Sequence, residues 1–227
     1  MIDPKKLLYV SDLDGTLLDG DGQLSEDSVK RINRLIDKGL NFTIATARNY
    51  DSAYPLLKRL NLKYPVILFN GVYLTDLHSG ENLFLSNFIS LDIISKMISL
   101  AEAQKVAPFI YTYGRKHLVY YKEVNNLGAK SYVDIISSEQ RAHKVNEFIF
   151  SDSEQISGFL LIDVSEVLEP IYTELRTLYK DALNIYFAPD VSNPNFFWLQ
   201  CFHLGANKGK MLKKMTEYLD ISLSNTV

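Results

Sequence analysis

Cysteine is almost absent from this chain: its 227 residues include one, Cys201, so no internal disulfide can form. That fits a reducing compartment, and Cys201 itself reads as a small buried hydrophobe. An excess of charge of one sign is also lacking. Lys and Arg number 24 against 27 Asp and Glu, a formal net charge of −3. Nothing global therefore points to nucleic acid or an anionic membrane, and an anionic ligand must be met by local positive charge. Long apolar runs are missing as well. The first, at 7–10, stops after four residues, short of the roughly 7–15 that a secretory signal needs. No run approaches the roughly 18 residues of a membrane span. His78, His117, His143 and His203 are scattered and have no metal-ligand spacing. The expectation is a cytoplasmic protein that binds neither nucleic acid nor membrane. Its composition, 47% hydrophobic and 22% charged, is that of an ordinary globular protein with room for one large domain or two modest ones.

What is present begins with strand and helix in alternation. Leu7 to Val10 read as a short buried strand, with Asp12 and Asp14 just past its end. Ser25 is a plausible helix cap, Glu26 and Asp27 suit the first turn, and Val29, Ile32, Ile36 and Leu40 keep near-helical spacing up to Gly39. Residues 41–48 read as a second strand and 50–62 as a helix. Residues 64–71 read as a third strand, almost without alternation, as expected for one buried on both faces. This order predicts a Rossmann-like α/β core with a parallel sheet.

From about Leu83 the rhythm changes. Residues 90–104 read as a helix capped by Ser90, and 107–113 and 116–122 as a hairpin around Gly114 and Arg115. Residues 145–150 and 158–163 read as strands, 165–179 as a helix, and 183–189 and 196–202 as closing strands. The final helix lies within 207–220. The expected organisation is a discontinuous core, 1–83 and 201–227, with an inserted α+β domain at 84–200. Tyr111, Tyr113, Tyr120, Tyr121, Phe196, Phe197 and Trp198 in that insert suggest a ring-stacking platform, but alternating strand aromatics more often serve packing.

In an open parallel sheet, ligands bind beyond the carboxyl ends of the strands. The first strand delivers Asp12, Asp14 and Thr16 there; the second, Thr46 and Arg48; the third, Asn70 and then Gly71. Two carboxylates so close repel unless a cation or a reaction uses them. A carboxylate can attack phosphorus to form an aspartyl-phosphate, and a second can pass protons to the leaving oxygen and from water. Gly15 lets the backbone turn so that amides can face phosphate oxygens. Mg²⁺, a hard cation, would relieve the crowding. A calcium loop is excluded, because its sixth and twelfth positions fall on Leu17 and Gln23. Lys208, between Asn207 and Gly209, suits a place beside a developing phosphate charge. Its surroundings, Gly205 to Lys210, do not have the spacing of a phosphate-binding P-loop.

These residues in this order resemble the haloacid dehalogenase superfamily of phosphatases, in particular its Cof-type branch. The stretch 12–17, DLDGTL, is similar to the first motif, TIATAR to the second, FNG to an Asn-Gly after the third strand, and ANKGKML to the third motif. The resemblance implies Asp12 as nucleophile and Asp14 as acid/base, with Thr46 and Asn70 holding the phosphoryl group and Lys208 steadying the phospho-aspartate. It places Gly15, Thr16, Ala47, Arg48 and Gly71 along the phosphate-binding edge. Ala47 stands where the family usually has Gly. Asp12 and Asp14 (through its carbonyl) would hold Mg²⁺, and the 84–200 insert would be a cap that closes over the site and sets specificity. Relatives continue into a further strand whose Gly-Asp…Asp acids complete the metal shell. Thr226 and Val227 read as the start of that strand, so a natural chain longer than these 227 residues is the expectation. The implied activity is Mg²⁺-dependent hydrolysis of a small phosphorylated metabolite, a sugar phosphate for choice, by a monomer or weak homodimer. A sugar phosphomutase is an alternative. So is a non-catalytic phosphometabolite binder, should the chain end at Val227.

Overall fold

The computed structural model describes residues 7–114 and 117–227; Lys5, Lys6 and the hairpin residue Arg115 lie outside them. In chain order the elements are β1 (Leu8–Ser11), α1 (Glu26–Asp37), β2 (Asn41–Ile44), α2 (Tyr50–Leu57), β3 (Val66–Leu68), β4 (Tyr73–Thr75) and β5 (Asn82–Leu85). Next come α3 (Leu91–Ala103), β6 (Phe109–Tyr113), β7 (Val119–Tyr121), α4 (Leu127–Ser138) and β8 (Ala142–Lys144). The rest are β9 (Gln155–Asp163), α5 (Ser165–Tyr179), β10 (Leu183–Pro189), β11 (Phe197–His203) and α6 (Lys208–Tyr218). They form two compact units, one running to Ser86 and resuming at Gly205, the other covering Asn87–Leu204. The divisions fall at 86/87 and 204/205 instead of 83/84 and 200/201, because β5 continues to Leu85 and β11 to His203.

In the first unit β1 and β2 are parallel, with Leu8 opposite Asn41 and Ser11 opposite Ile44. A parallel Ala45–Ile67 bridge joins β2 to β3. On the other edge of β1, Thr226 and Val227 run parallel to it: the Val10 amide donates to the Val227 carbonyl at 2.8 Å, and the Val227 amide to that of Leu8 at 2.9 Å. Local chemistry explains the helices between. Ser25 caps α1 by accepting from the Ser28 amide, and Gly39 takes a φ of 98° just beyond its end. Asn49 caps α2 by accepting from the Ser52 amide at 3.0 Å. The Arg59 guanidinium then ties the end of α2 to the start of α1, donating to Glu26 and to the Leu24 carbonyl. Helix α6 lays Met211 and Met215 on Leu8, Ala45, Ile67 and Leu74. After β3 the chain turns back into antiparallel β4 and β5, a departure from the expected rhythm. Strands this short show no legible period.

The second unit is a six-stranded sheet in the order β10-β11-β9-β6-β7-β8, antiparallel except for β7 and β8. Helices α3 and α5 cover the face that carries Ile110, Phe159, Leu161, Leu199 and Cys201. Helix α4 covers the other, where Tyr132 donates to Tyr111 Oη at 2.9 Å and meets the rings of Phe109 and Trp198 edge-on. Burial pushes the Tyr111 phenol up to about 12, so this pair stays neutral at physiological pH. Tyr111 and Trp198 thus serve packing, as does Phe197 against the opposite core. Two expectations fail here. Residues 145–150 alternate like a strand but form an irregular segment in which Ile149 is 80% exposed. Helix α4 was not expected, since Gly128 interrupts its start; a Cβ there would sit 2.6 Å from the Phe196 ring. Among the described residues no helix is long and apolar enough to cross a membrane.

The end of α4 is fixed by Arg141, whose Nε donates to the His117 carbonyl and whose NH1 pairs with Glu139, each at 2.8 Å. The Arg141 side chain is only 5% exposed. Removing one partner of a buried pair leaves the other uncompensated, at a cost of about 3 kcal/mol. Arg141→Ala is therefore expected to lower the unfolding free energy from urea melts by that amount; a loss below about 0.5 kcal/mol would show that the pair is not structural.

Candidate active site

The site starts where β1 ends. Asp12 is the first residue beyond the strand, and its Oδ1 accepts the Leu13 amide at 2.8 Å, which fixes the carboxylate against its own backbone. The amides of Thr16, Leu17 and Leu18 converge on the Leu13 carbonyl at 3.2, 2.9 and 3.0 Å. These three amides close the turn around Gly15. Gly15 has a φ of 68°, and a Cβ there would meet nothing within 4 Å, so the need for glycine is conformational. The Thr16 side chain is exposed.

Each aspartate has its own base. Lys208, 196 residues away in sequence, donates from Nζ to Asp12 Oδ2 at 2.7 Å. Arg48 grips Asp14 with two nitrogens, NH2 to Oδ1 at 2.7 Å and Nε to Oδ2 at 3.0 Å. The Asp14 side chain is 52% exposed and that of Arg48 30%. Exposed pairs of this kind are worth about 0.2–1 kcal/mol, so the clamp opens at small cost.

Thr46 is fully buried between these groups and the sheet. Its Oγ1 accepts the Arg48 amide at 3.1 Å, and its carbonyl accepts the Asn70 amide at 3.1 Å. Ala47 lies exposed between Thr46 and Arg48. After β3 the chain makes a tight turn with three positive φ values in succession: 51° at Phe69, 55° at Asn70 and 88° at Gly71. The left-handed region disfavours an aromatic residue, so this turn stores strain beside the polar edge. A Cβ on Gly71 would lie 2.5 Å from the carbonyl carbon and oxygen of Asn207. Gly71, placed along the phosphate edge by its motif, is needed here so that the turn can meet the start of α6.

Thus Asp12, Asp14, Arg48, Thr46, Asn70, Gly71 and Lys208 are joined by hydrogen bonds and contacts into one neighbourhood at the carboxyl end of the parallel strands. Sequence reasoning missed Asn207 as a contributor. The signal was an Asn directly ahead of the final helical pattern, the position where side-chain caps concentrate. The donor set suits a hard divalent cation, which commonly takes one or two carboxylates with water and phosphate. The described residues contain no group of three His, Cys, Asp or Glu able to enclose a metal. Asp12 Oδ1 accepts the Leu13 amide and Oδ2 the Lys208 ammonium, and each oxygen retains a lone pair for such an ion.

Comparison with known proteins adds an independent line. The model of the haloacid dehalogenase-like hydrolase family matches residues 9–227. A candidate phosphatase from Buchnera aphidicola subsp. Baizongia pistaciae is 27% identical over 223 residues, 97% of this chain and 78% of the relative. A 5-amino-6-(5-phospho-D-ribitylamino)uracil phosphatase from Bacillus subtilis is 30% identical over 105 residues, 46% of this chain and 39% of the relative. The crystal structure of a haloacid dehalogenase-like hydrolase from Bacteroides thetaiotaomicron has a TM-score of 0.75 at 18% identity, covering 97% of this chain and 79% of that one.

The turn at Gly71 offers a stability test. A left-handed φ costs an ordinary residue about 1–2 kcal/mol, and overlap with Asn207 adds to it. Gly71→Ala is expected to lose at least about 2 kcal/mol in denaturant melts. A neutral outcome would mean that the turn and α6 do not bear on each other.

Proposed function

The chain belongs to the haloacid dehalogenase-like hydrolase family, and from that premise we propose that it is a phosphomonoester hydrolase that passes the phosphoryl group through Asp12. The observation that carries this reading is the 2.7 Å contact of Lys208 Nζ with Asp12 Oδ2, beside buried Thr46 and the Asn70 turn. A structural ion pair would not need two further polar residues held at the same strand edge.

In the proposed reaction Asp12 attacks phosphorus, the bond from phosphorus to the ester oxygen breaks, and Asp14 protonates the departing alkoxide. Water then attacks the phospho-aspartate, gives its proton to Asp14, and releases inorganic phosphate with Asp12 regenerated. Lys208, Thr46 and Asn70 offset the charge on the phosphoryl oxygens, so catalysis rests on positioning and electrostatics. Arg48 holds both oxygens of Asp14 in the resting protein, so proton transfer requires that clamp to open toward the incoming anion. Asp12 and Asp14 are the residues that would hold Mg²⁺, whose chemistry is to neutralise phosphoryl charge.

For the substrate we propose a small phosphorylated metabolite of the sugar-phosphate class. Support comes from the Bacillus subtilis relative, whose name gives a phosphorylated ribitylamino compound as its substrate. Substrate choice we assign to the 87–204 unit as a cap. The balanced charge supports a protein without nucleic-acid or membrane partners, and the single buried thiol a cytoplasmic one; a monomer or weak homodimer is our proposal for its assembly.

Asp12→Asn is expected to abolish release of phosphate from p-nitrophenyl phosphate while leaving the melting curve close to that of the parent. Chelation with EDTA should remove the parent activity and Mg²⁺ should restore it. Retained activity in Asp12→Asn would overturn the nucleophile assignment. Phosphate kept on a rearranged sugar product would favour the mutase reading.

A further inference from the structure

We infer that Asn207 is the positioning residue that sets Lys208 against Asp12, an inference that rests on the phosphoryl-transfer reading above. Lys208 is the first residue of α6. A lysine there opposes the helix dipole by about 0.3–1 kcal/mol, and its flexible stem has no intrinsic preference for Asp12. The start of the helix must therefore be held by something else.

Asn207 holds it with its side chain. Asn207 Oδ1 accepts the Gly209 amide at 2.9 Å and the Lys210 amide at 3.2 Å, capping two donors that the helix cannot satisfy itself. Gly209 leaves room for this, since a Cβ there would sit 3.2 Å from the same Oδ1. The backbone of Asn207 is fixed from the other side. The glycine at 71 lets the turn carrying Asn70 approach so closely that any Cβ would overlap the Asn207 carbonyl. The residue ahead of Lys208 is thus fixed by its own helix and by the strained turn that carries Asn70. Lys208 reaches Asp12 at 2.7 Å from that fixed point.

The test uses the full chain with three variants: Asn207→Ala, Asn207→Ser (which keeps a neutral capping oxygen) and Lys208→Ala. With p-nitrophenyl phosphate, Asn207→Ala is expected to lower kcat about tenfold with KM within about twofold, because a displaced charge is felt most in the transition state. Asn207→Ser should recover most of the loss. In a Lys208→Ala background, Asn207→Ala should add nothing further, since both changes remove one interaction. Lysine-ammonium ¹H–¹⁵N spectra, with the Lys208 signal identified by its loss in Lys208→Ala, give a readout independent of activity. The signal should broaden away in Asn207→Ala and persist in Asn207→Ser. The inference is overturned by an Asn207→Ala protein that melts earlier but keeps its kcat. An effect that adds in full to that of Lys208→Ala, or an unchanged ammonium signal, overturns it too. If the parent cleaves no phosphoester yet Asn207→Ala still loses the signal, the positioning stands and the functional reading falls.

Discussion

Two carboxylates stand at the end of the first strand, and the first unit is arranged so that neither is left alone. The Lys208–Asp12 contact spans 196 residues of sequence, so it exists only because the chain leaves the first unit after Ser86 and returns at Gly205. Once back, α6 is seated by Met211 and Met215 on the strands that deliver the polar edge. Burial of that apolar face stabilises the helix, and the helix places the ammonium group. Packing and chemistry share one element.

The two pairs at the site differ in kind. Asp12 is fixed by its own backbone and by a lysine whose helix start is capped and wedged. Asp14 is held by two nitrogens of Arg48, a long side chain from the loop after β2, in a pair about as exposed as the first. Anchoring by a backbone amide and by a lysine at a capped helix start suits a nucleophile that must present the same oxygen in each turnover. The exposed arginine clamp, which an incoming anion can compete for, suits a group that has to exchange protons with a leaving alcohol and then with water. The strained turn at 69–71 fits this division, since strain persists only where surrounding structure over-determines it.

Much of this was legible from residue order. Ser25 announced α1, the flanking glycine and Asn framed Lys208, and short polar residues at three strand ends marked the edge where ligands bind. The failures have physical causes. Residues 145–150 carry strand-like alternation, but their pairing with β7 stops at Val145, whose amide donates to the Tyr121 carbonyl, and Ile149 faces solvent. Helix α4 hides behind Gly128, which is required by the Phe196 ring and not by the helix. The Arg48 clamp and the Gly71–Asn207 approach are tertiary facts, set by how two elements meet, and no local pattern encodes them. A left-handed Phe69 runs against local preference altogether, which is where sequence reasoning is expected to fail at a working site.

The central claim is that Asp12 itself carries the phosphoryl group. Its most direct test is to mix the protein with a reactive phosphoester and Mg²⁺, quench in acid within one turnover, reduce any acyl phosphate with borohydride, and map the peptides by mass. The account predicts conversion of Asp12 alone to homoserine. Reduction at another carboxylate, or phosphate release with no residue modified at any quench time, would contradict it.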